Sequence, residues 1–482
     1  DPALITRDGT VSFFALEQLV GQFASALIAA GLLPGDRVAS WLGKTRTACL
    51  LPLAAARAGL IHVPVNPQLR RGQVAHILED SGAALLVSGS GRLATLEPGD
   101  CPPSCRQLRE EDLSRQAEAL APLPPSSADP DSLCAILYTS GSTGQPKGVM
   151  LSHANLWLGA ISVASYLELA ADDRTLCVLP FSFDYGQNQL FSAWAAGGCA
   201  VPLDYLTPRD VVRAVERYRI TTLAGVPPLW FQLVEAQWTP TAIGSIRRLT
   251  NSGGALTPAL VRALVALFPD ARLFPMYGLT EAFRSTYLDP ALVRDHPLSM
   301  GRAIPFAEVM IVRPDGSAAA DGEAGELVHA GPLVAKGYWR DPERTAMRFR
   351  VAPSFSHYGG MAVWSGDTVR READGLHYFV GRDDEMIKVS GNRISPTEIE
   401  AAAAASGVAP ECVAIGVPDE RLGQTIVLVA RGDGSGEEEL MRHFRTSLPG
   451  FMVPARIDWR DELPRNPNGK LDRAALRRAV TS

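Results

Sequence analysis

The stretch Leu137-Tyr-Thr-Ser-Gly-Ser-Thr-Gly-Gln-Pro-Lys147-Gly148 leads from an apolar run into a loop of hydroxyl side chains and glycines. Backbone N–H groups, hydroxyls and one ammonium in such a loop together bind phosphate oxygens. The loop differs from a Walker loop because Lys147 precedes glycine instead of Ser or Thr. We therefore predict a phosphate-binding loop after a buried strand, with Ser152 as the N-cap of the next helix. The alternative is a flexible surface turn.

Strand-like and helical segments alternate on both sides of this loop. Before it, strands are predicted at 37–41, 62–65 and 84–87, and helices at 13–31, 45–58 and 73–79. From the loop onward, strands are predicted at 133–139, 175–179, 221–225 and 271–275, and helices at 186–196 and 210–218. This alternation predicts an α/β fold with parallel strands. Glycine-punctuated strands at 308–313 and 325–329 predict a more β-rich, barrel-like part.

The length and charge of the chain exclude several classes of protein. Its 482 residues amount to about three average domains of roughly 150 residues, so a large core is available. With 46 Lys and Arg against 52 Asp and Glu, the chain lacks the positive field of a general nucleic-acid binder. No apolar run reaches the roughly 18 residues of a membrane span. We therefore expect neither nucleic-acid binding nor a membrane span.

The cysteines are few and scattered, which is typical of a reducing cytoplasm rather than a disulfide framework. Cys101 and Cys105 form the close pair, and we interpret them as free thiols, with a zinc site as the alternative. We therefore expect a cytoplasmic protein. Because the sequence opens on Asp1, directly before a strand-like segment at 3–5, the native N-terminus and any targeting segment stay open.

Roughly the last hundred residues predict a separate small α+β domain. Its first helix is predicted to start at Ser395-Pro396-Thr397-Glu398, where Ser395 and Glu398 form a capping box and proline takes the first helical position. Gly407 is expected to end this helix. The segment 121–131 is rich in Pro, Ser and Asp, and it predicts an exposed linker.

Several motifs fall in a fixed order along the chain. They are Thr139 to Lys147, Tyr277-Gly-Leu-Thr-Glu281, Gly366-Asp367, Gly381-Arg382-Asp383-Asp384 and Asn468-Gly-Lys470. In this order they resemble the ANL superfamily of adenylate-forming enzymes, which contains acyl-CoA synthetases, amino-acid adenylation domains and luciferases. The resemblance implies a large N-terminal domain, residues 1–383, of two α/β subdomains and a small β-barrel. It also implies a mobile α+β C-terminal domain, residues 384–482, with its hinge at Asp384.

The resemblance implies an AMP-forming carboxylate-thiol ligase. A carboxylate attacks the α-phosphorus of ATP, giving an acyl-adenylate and pyrophosphate, and a thiol then displaces AMP to give a thioester. Both steps bring anions together, so the protein must supply positive charge and fixed donors. The implied cofactors are ATP and Mg²⁺, with CoA or the phosphopantetheine of a carrier protein as the thiol acceptor.

Each motif residue has a role implied by its place in the family pattern. Thr280 is implied to donate to the α-phosphate, and Glu281 to hold magnesium, with an ordinary surface carboxylate as the alternative. Tyr277 is implied to stack on adenine. Asp367 is implied to accept from both ribose hydroxyls, assisted by Arg382, with an Asx-turn cap as the alternative. The remaining implied ATP-binding residues are Thr139, Ser140, Gly141, Ser142, Thr143, Gly144, Lys147, Gly253, Gly254, Ala255 and Gly278.

Lys470 is implied to be the catalytic lysine of adenylation, because its ammonium offsets the repulsion between the attacking carboxylate and the α-phosphate. A solvated turn lysine is the alternative. In the family this lysine is withdrawn for the thioester step as the C-terminal domain rotates about its hinge. Arg393 and Gly391 align with residues that contact phosphate and line the thiol tunnel, respectively.

The segment Leu179-Pro-Phe-Ser-Phe-Asp184 bears on the identity of the acid. Phe183 stands where many fatty acyl-CoA synthetases carry histidine, and Ser-Phe-Asp is similar to amino-acid adenylation domains, where the aspartate binds the α-ammonium. A carboxylate in an apolar pocket needs such a cation. The alternative is that Asp184 caps the helix starting near Tyr185. Asn251-Ser-Gly-Gly-Ala255 is implied to form a pocket wall, with Gly253 and Gly254 allowing close approach of the backbone to substrate and adenine.

Two further features of the sequence concern the thiol acceptor, which is CoA or an acyl carrier protein. The run Phe283-Arg284-Ser285-Thr286-Tyr287 is similar to a bacterial AMP-ligase branch associated with exosortase systems, which favours a ligase serving a separate acyl carrier protein. Residues 441–482 carry nine Arg and Lys against four Asp and Glu. This surplus fits an acidic carrier or the phosphates of CoA, and it fits a solvated helix face equally. No carrier domain follows Lys470, so a separate carrier is expected.

Alternative functions stay open at this point. The substrate is a small carboxylic acid in an acyl-CoA synthetase, or an amino acid in a stand-alone enzyme that loads a carrier protein. A non-catalytic adenylate sensor is a remote alternative, and the presence of Lys147, Glu281, Asp367 and Lys470 counts against it. Luciferase-like oxidation requires a special substrate.

Overall fold

The computed structural model describes residues 1–139, 146–382, 386–464 and 471–481. The first section alternates strands and helices, as the sequence predicts. In chain order its elements are β1 (Pro2–Thr6), β2 (Gly9–Ser12), α1 (Phe13–Ala29), β3 (Arg37–Trp41), α2 (Arg46–Arg57), β4 (Ile61–Pro64), α3 (Arg71–Ser81), β5 (Leu85–Ser88), α4 (Ser90–Leu93), β6 (Arg106–Arg109), α5 (Glu110–Glu118), β7 (Leu133–Thr139) and β8 (Lys147–Ser152).

Strands β3 to β8 form a sheet in the order β6-β5-β3-β4-β7-β8, parallel except for the antiparallel pair β7 and β8. Every residue of β4 and β5 is buried, as expected for parallel strands that are covered on both faces. Helices α1 and α2 pack here and start at the hydroxyl N-caps Ser12 and Thr45. The antiparallel pairing places Lys147 opposite Thr139.

The second section continues the alternation. Its elements are α6 (His153–Tyr166), β9 (Arg174–Cys177), α7 (Asp184–Ala195), β10 (Cys199–Pro202), α8 (Pro208–Tyr218), β11 (Thr222–Gly225), α9 (Pro227–Val234), α10 (Pro240–Ser245), β12 (Arg248–Asn251), α11 (Pro258–Leu267) and β13 (Arg272–Tyr277). With β1, the strands form a parallel sheet in the order β13-β12-β11-β9-β10-β1. Parallel strands end at one edge, so the loops after β9, β11, β12 and β13 lie together.

The third section is antiparallel. It contains short 3₁₀ helices at Thr280–Ala282 and Pro290–Leu292, β14 (Thr286–Tyr287), β15 (Ser299–Ala303), β16 (Glu308–Val312), β17 (Ala324–Ala330), α12 (Pro342–Arg348), β18 (Phe349–Val351), β19 (Met361–Arg371) and β20 (His377–Arg382). Strand β14 pairs with β13, so the β-rich part predicted beyond residue 300 continues directly from the parallel sheet.

The C-terminal section has its own sheet and core. Its elements are β21 (Ile387–Val389), β22 (Asn392–Ile394), α13 (Pro396–Ala405), β23 (Cys412–Asp419), β24 (Gly423–Arg431), α14 (Glu437–Ser447), a 3₁₀ helix at Gly450–Met452, β25 (Arg456–Arg460) and α15 (Arg473–Thr481). The strands pair in the order β22-β21-β24-β23, and β25 is parallel to β24. Ile399, Leu428 and Phe444 are fully buried between the helices and this sheet.

The predicted fold class is confirmed, and predicted element boundaries differ from the observed ones by about two residues, as fraying ends allow. The capping box at α13 is wrong. The Ser395 hydroxyl instead makes a 2.8 Å hydrogen bond with the Thr397 hydroxyl. Glu398 accepts a 3.5 Å hydrogen bond from Gln73 of α3, so a contact between sections replaces the local cap.

None of the helices in the described part of the chain combines the length and the apolar character needed to cross a bilayer. All seven cysteines are free thiols. Within the described ranges, His, Cys, Asp and Glu side chains form no group of three or more that could hold a metal ion.

Candidate active site

A buried cluster joins the lysine of the phosphate loop to the glutamate of the Tyr277–Glu281 motif. Lys147, at the start of β8, donates to Glu281 Oε1 at 2.9 Å and to the Tyr338 hydroxyl at 2.6 Å. The Tyr338 hydroxyl donates to the same Glu281 oxygen at 2.7 Å. The side chains of Lys147 and Glu281 are only 12% and 5% exposed. The fold therefore brings together residues that lie 134 positions apart.

The charges around Glu281 decide its ionisation. Burial alone raises a carboxyl pKa, but Lys147, Arg393 and the Tyr338 hydroxyl hold the pKa of Glu281 well below its usual range. Burial lowers the pKa of Lys147, and the charge of Glu281 opposes that effect. Glu281 is therefore a carboxylate with cationic neighbours on two elements, Lys147 on β8 and Arg393 on β22.

The proposed ribose residue and the proposed adenine residue are in contact. The Tyr277 hydroxyl, at the end of β13, donates to Asp367 Oδ2. Asp367 is 2% exposed and lies inside β19, directly opposite Arg382 of β20. An Asx-turn cap is therefore wrong for Asp367, because the residue belongs to a strand. The carboxylate lies beside the Tyr277 ring at the end of the parallel sheet.

Asp184 is the first residue of α7 and forms a buried ion pair. Its N-cap is Phe183, so the capping alternative is wrong. Arg284 Nη1 donates to Asp184 Oδ2 at 3.1 Å, and the Thr280 hydroxyl donates to Oδ1 at 3.3 Å. The side chains of Arg284 and Asp184 are 3% and 13% exposed. Burial raises the pKa of Asp184 above its ordinary value, although the charge of Arg284 and the Thr280 hydroxyl oppose this shift.

Glycines allow backbone segments to meet at the site. Gly278 has no room for a side chain, because a Cβ there would lie 2.7 Å from the Phe283 carbonyl oxygen. Gly253 and Gly391 both have left-handed backbones, with φ of +79°. A Cβ on Gly253 would lie 3.5 Å from the Gly391 Cα, so the C-terminal section packs directly against the loop after β12.

The same loop forms the wall predicted at 251–255. Asn251 Nδ2 donates to the Gly254 carbonyl at 2.8 Å, which folds the loop back onto the end of β12. Gly253 and Ala255 are exposed, so this loop presents its backbone to the open side of the site.

Some predicted site residues lie outside the described residues: Ser140, Gly141, Ser142, Thr143, Gly144, Asp384 and Lys470. Arg382 is described through its backbone pairing with Asp367. Thr139, the last residue of β7, has a buried hydroxyl without a partner in the described ranges, and it lies opposite Lys147.

Sequence reasoning missed Tyr338 and the role of Arg284. Tyr338 lies 191 positions from Lys147, and its ring packs edge-on against Phe349 with centroids 5.4 Å apart. The available signal was the largely apolar run at 333–339, Leu-Val-Ala-Lys-Gly-Tyr-Trp, which favours burial of a tyrosine whose hydroxyl then needs a partner. Arg284 was noted only as part of a family-like run, and the polar residues Ser285 and Thr286 after it give no local sign that it is buried beside Asp184.

The carboxylate of Glu281 has the properties of a magnesium ligand. It is a hard oxygen donor beside a lysine suited to phosphate, and both hydrogen bonds from Lys147 and Tyr338 end on Oε1. Mg²⁺ in nucleotide enzymes is typically held by one or two carboxylates together with substrate phosphates. A single buried carboxylate beside Lys147 fits that pattern.

The chain matches the family of AMP-binding enzymes over residues 1–339, and the AMP-binding enzyme C-terminal domain over residues 398–470. It is 34% identical to a feruloyl-CoA synthase of Amycolatopsis sp, over 98% of this chain and 95% of that protein. It is 32% identical to an L-proline--[L-prolyl-carrier protein] ligase of Pseudomonas fluorescens, over 99% and 96%.

Among solved structures, o-succinylbenzoate CoA synthetase of Bacillus subtilis, bound to a product analogue, has a TM-score of 0.86 at 26% identity and covers 99% of this chain and 95% of that chain. The shared activity is AMP-forming activation of a carboxylic acid with ATP and transfer of the acyl group to a thiol. The chain belongs to the AMP-binding enzymes, within the ANL superfamily of adenylate-forming enzymes.

Proposed function

We propose that this ligase activates a carboxylic acid without an α-ammonium group and transfers it to a phosphopantetheine thiol, of CoA or of a carrier protein. The buried pair of Asp184 and Arg284 carries this proposal. In amino-acid adenylation domains the corresponding aspartate binds the substrate ammonium. Here a guanidinium already neutralises it at 3.1 Å, so an incoming ammonium would have no free counter-charge.

The nucleotide roles follow from the Lys147–Glu281 pair. Each partner satisfies the other's charge, so binding of ATP exchanges partners within the cluster: Lys147 turns to the β- and γ-phosphates, and Glu281 would hold Mg²⁺. Bound Mg²⁺ supplies positive charge to the phosphate oxygens. The Tyr338 hydroxyl positions both side chains. The loop residues Ser140, Ser142 and Thr143 complete the phosphate site in this proposal.

The remaining residues orient the reacting groups. Asp367 accepts from the ribose, and Tyr277 packs on adenine beside it. Thr280 donates to the α-phosphate, next to Asp184. Lys470 supplies the cation that lets the substrate carboxylate approach the α-phosphorus. The adenylate carbonyl then reacts with a thiol that enters between the two domains.

Packing between the N-terminal and C-terminal sections supports the thiol step. Gly391 approaches Gly253 and Val226 closely, and a Cβ on Gly391 would lie 3.0 Å from Val226 Cγ1. Arg393 on the neighbouring strand contributes positive charge to Glu281. We assign Gly391 to the thiol path, Arg393 to phosphate contact, and the domain boundary with its hinge to Asp384.

Carboxylate-dependent exchange of pyrophosphate into ATP, measured without thiol, tests the proposal. A panel pairs each α-amino acid with the acid that lacks its amino group. We expect exchange with the acids, and an α-amino group should lower kcat/KM by roughly tenfold or more. Preference for the amino-acid member of the pairs would overturn the assignment of Arg284 as the permanent partner of Asp184.

A further inference from the structure

A small, partly open cavity lies beside the Asp184–Arg284 pair. Helices α6 and α7 and strands β9, β11, β12 and β13 line it, and its volume is about 20 Å³. Arg284 and Tyr185 border it. The Tyr185 hydroxyl donates to the Thr250 carbonyl at 2.8 Å and makes a second hydrogen bond of 2.8 Å with the Thr250 hydroxyl. The Arg284 guanidinium carbon lies 4.7 Å from the centroid of the Tyr185 ring, which is a cation–π contact. The cavity therefore adjoins Arg284, the partner of Asp184 in the candidate acid site.

Polar atoms without partners converge on this cavity. The residues are Thr175, Asn188, Gln189, Thr222 and Arg284, and the atoms are the two threonine hydroxyls, Asn188 Nδ2, Gln189 Oε1 and Arg284 Nε. Each is buried and has no hydrogen-bond partner within the described ranges. Buried polar atoms are satisfied in the great majority of cases, because leaving one unpaired costs about 1–3 kcal/mol. A group of such atoms around one cavity indicates a ligand that completes their hydrogen bonds.

The backbone directs these side chains to one place. Thr175 of β9 and Thr222 of β11 are direct partners across the sheet, so their side chains lie on the same face. Asn188 lies one helical turn after Asp184 on α7, on the same face of that helix. The arrangement is therefore set by elements of regular secondary structure, which hold a site more rigidly than loops do.

The charge and the volume of the cavity determine which chemical group it can hold. Arg284 and Asp184 neutralise each other, and the other cavity-lining residues are uncharged. A second carboxylate or an ammonium would be buried without a counter-ion, at high cost. Asn188 and Arg284 offer donors, and the threonine hydroxyls can donate as well. A volume of about 20 Å³ holds one water-sized group.

We propose that the acid substrate carries a neutral oxygen at the end remote from its reacting carboxyl group, as a hydroxyl or a carbonyl, and that this oxygen occupies the cavity. Asn188 and Thr222 are specificity residues for it. This inference rests on the proposed function, because it identifies the distal part of the same substrate. An ordered water that stays in place during the reaction is the competing occupant.

Pyrophosphate exchange with matched acids tests the inference on the full chain. The panel contains butyrate, 4-hydroxybutyrate, 4-aminobutyrate and succinate, and benzoate, 4-hydroxybenzoate, 4-aminomethylbenzoate and terephthalate. We expect the hydroxyl member of the preferred series to have a kcat/KM roughly tenfold or more above both its unsubstituted and its charged counterparts. Equal or higher kcat/KM for the unsubstituted acid would overturn the inference and leave only a buried water. If none of the acids supports pyrophosphate exchange, both this inference and the proposed function are overturned.

Variants locate the preference in the cavity. Thr222→Val and Asn188→Leu keep the shape of the side chains, and each should reduce the preference for the hydroxyl acid toward unity. Ser162→Ala is the matched control, because this buried hydroxyl is not part of the cavity lining and is already bonded to the Pro305 carbonyl at 2.9 Å. An unchanged preference in both Thr222→Val and Asn188→Leu would contradict the assignment of these residues, and the comparison of acids with the unmodified protein does not depend on either variant folding.

Discussion

The active site contains two buried ion pairs that differ in how their carboxylates ionise. Glu281 faces Lys147, Arg393 and the Tyr338 hydroxyl, and its pKa is held well below the usual range. Asp184 faces one guanidinium, and burial raises its pKa in spite of that charge. A buried carboxylate with two cationic neighbours thus keeps a low pKa, whereas one cation and one hydroxyl do not offset the burial of Asp184. In the function that we propose, the first pair exchanges partners when nucleotide binds, whereas the second stays paired.

Removing the lysine of the first pair should have the largest effect on activity. In Lys147→Met, Glu281 keeps Arg393 and Tyr338 as neighbours, while the phosphates lose their cation. We expect pyrophosphate exchange to fall roughly a thousandfold, with a smaller change in the free energy of unfolding than in Arg284→Met. Exchange within tenfold of the unmodified protein would show that Lys147 does not bind phosphate.

Removing Arg284, the cation of the second pair, should mainly lower the free energy of unfolding. Arg284→Met leaves Asp184 buried beside Thr280 alone, and such a loss typically costs about 3–5 kcal/mol. Urea unfolding measures this cost. The double variant Asp184→Asn/Arg284→Met is the control, and it should recover most of the loss because no charge is left unpaired. If the single variant is as stable as the unmodified protein, Asp184 is not held as a buried anion.

Removing the hydroxyl of Tyr338 tests whether this group positions Lys147 and Glu281. Tyr338→Phe keeps the ring against Phe349 and removes the bonds to Lys147 and Glu281. We expect the KM for ATP to rise roughly tenfold with little change in kcat, because the hydroxyl positions two ATP-binding side chains. Tyr378→Phe is the control, because it removes a tyrosine hydroxyl that is bonded to His296. A fall in kcat alone would instead indicate a role in the chemical step.

A change at Glu398, a carboxyl group between the first and the C-terminal sections, should give the smallest effect. Burial raises the pKa of Glu398 to about 7, and its hydrogen bond from Gln73 only partly opposes this. Because the pKa of Glu398 is raised in the folded protein, its protonated form stabilises the folded state at low pH. The contribution is fully present below about pH 4.5 and is lost as pH rises through 7.

Thermal unfolding between pH 5.5 and 8 measures this effect of Glu398. We expect a decrease in stability of about 1 kcal/mol across that range. Glu398→Gln should flatten the pH dependence and be the more stable protein at pH 8. Equal pH dependence in both proteins would rule out Glu398 as the titrating group.

The local sequence was sufficient wherever local patterns decide structure. Strand β3 and the start of α1 lie at their predicted positions, because apolar runs and helical periodicity act over a few residues. The motif residues Lys147, Glu281 and Tyr277 were identified because each has a fixed place in a short run. The α13 cap failed for the opposite reason, since Glu398 found a partner 325 positions away.

By itself, the sequence determined the α/β class, the order of the motifs and the family. Only the tertiary structure decided which charges neutralise each other. Arg284 lies 100 positions from Asp184, and Tyr338 lies 57 positions from Glu281. These pairings depend on how β13, β14 and the antiparallel strands dock against α7 and β8. The free energy of a buried charge depends on the groups around it in space, and no local pattern records them.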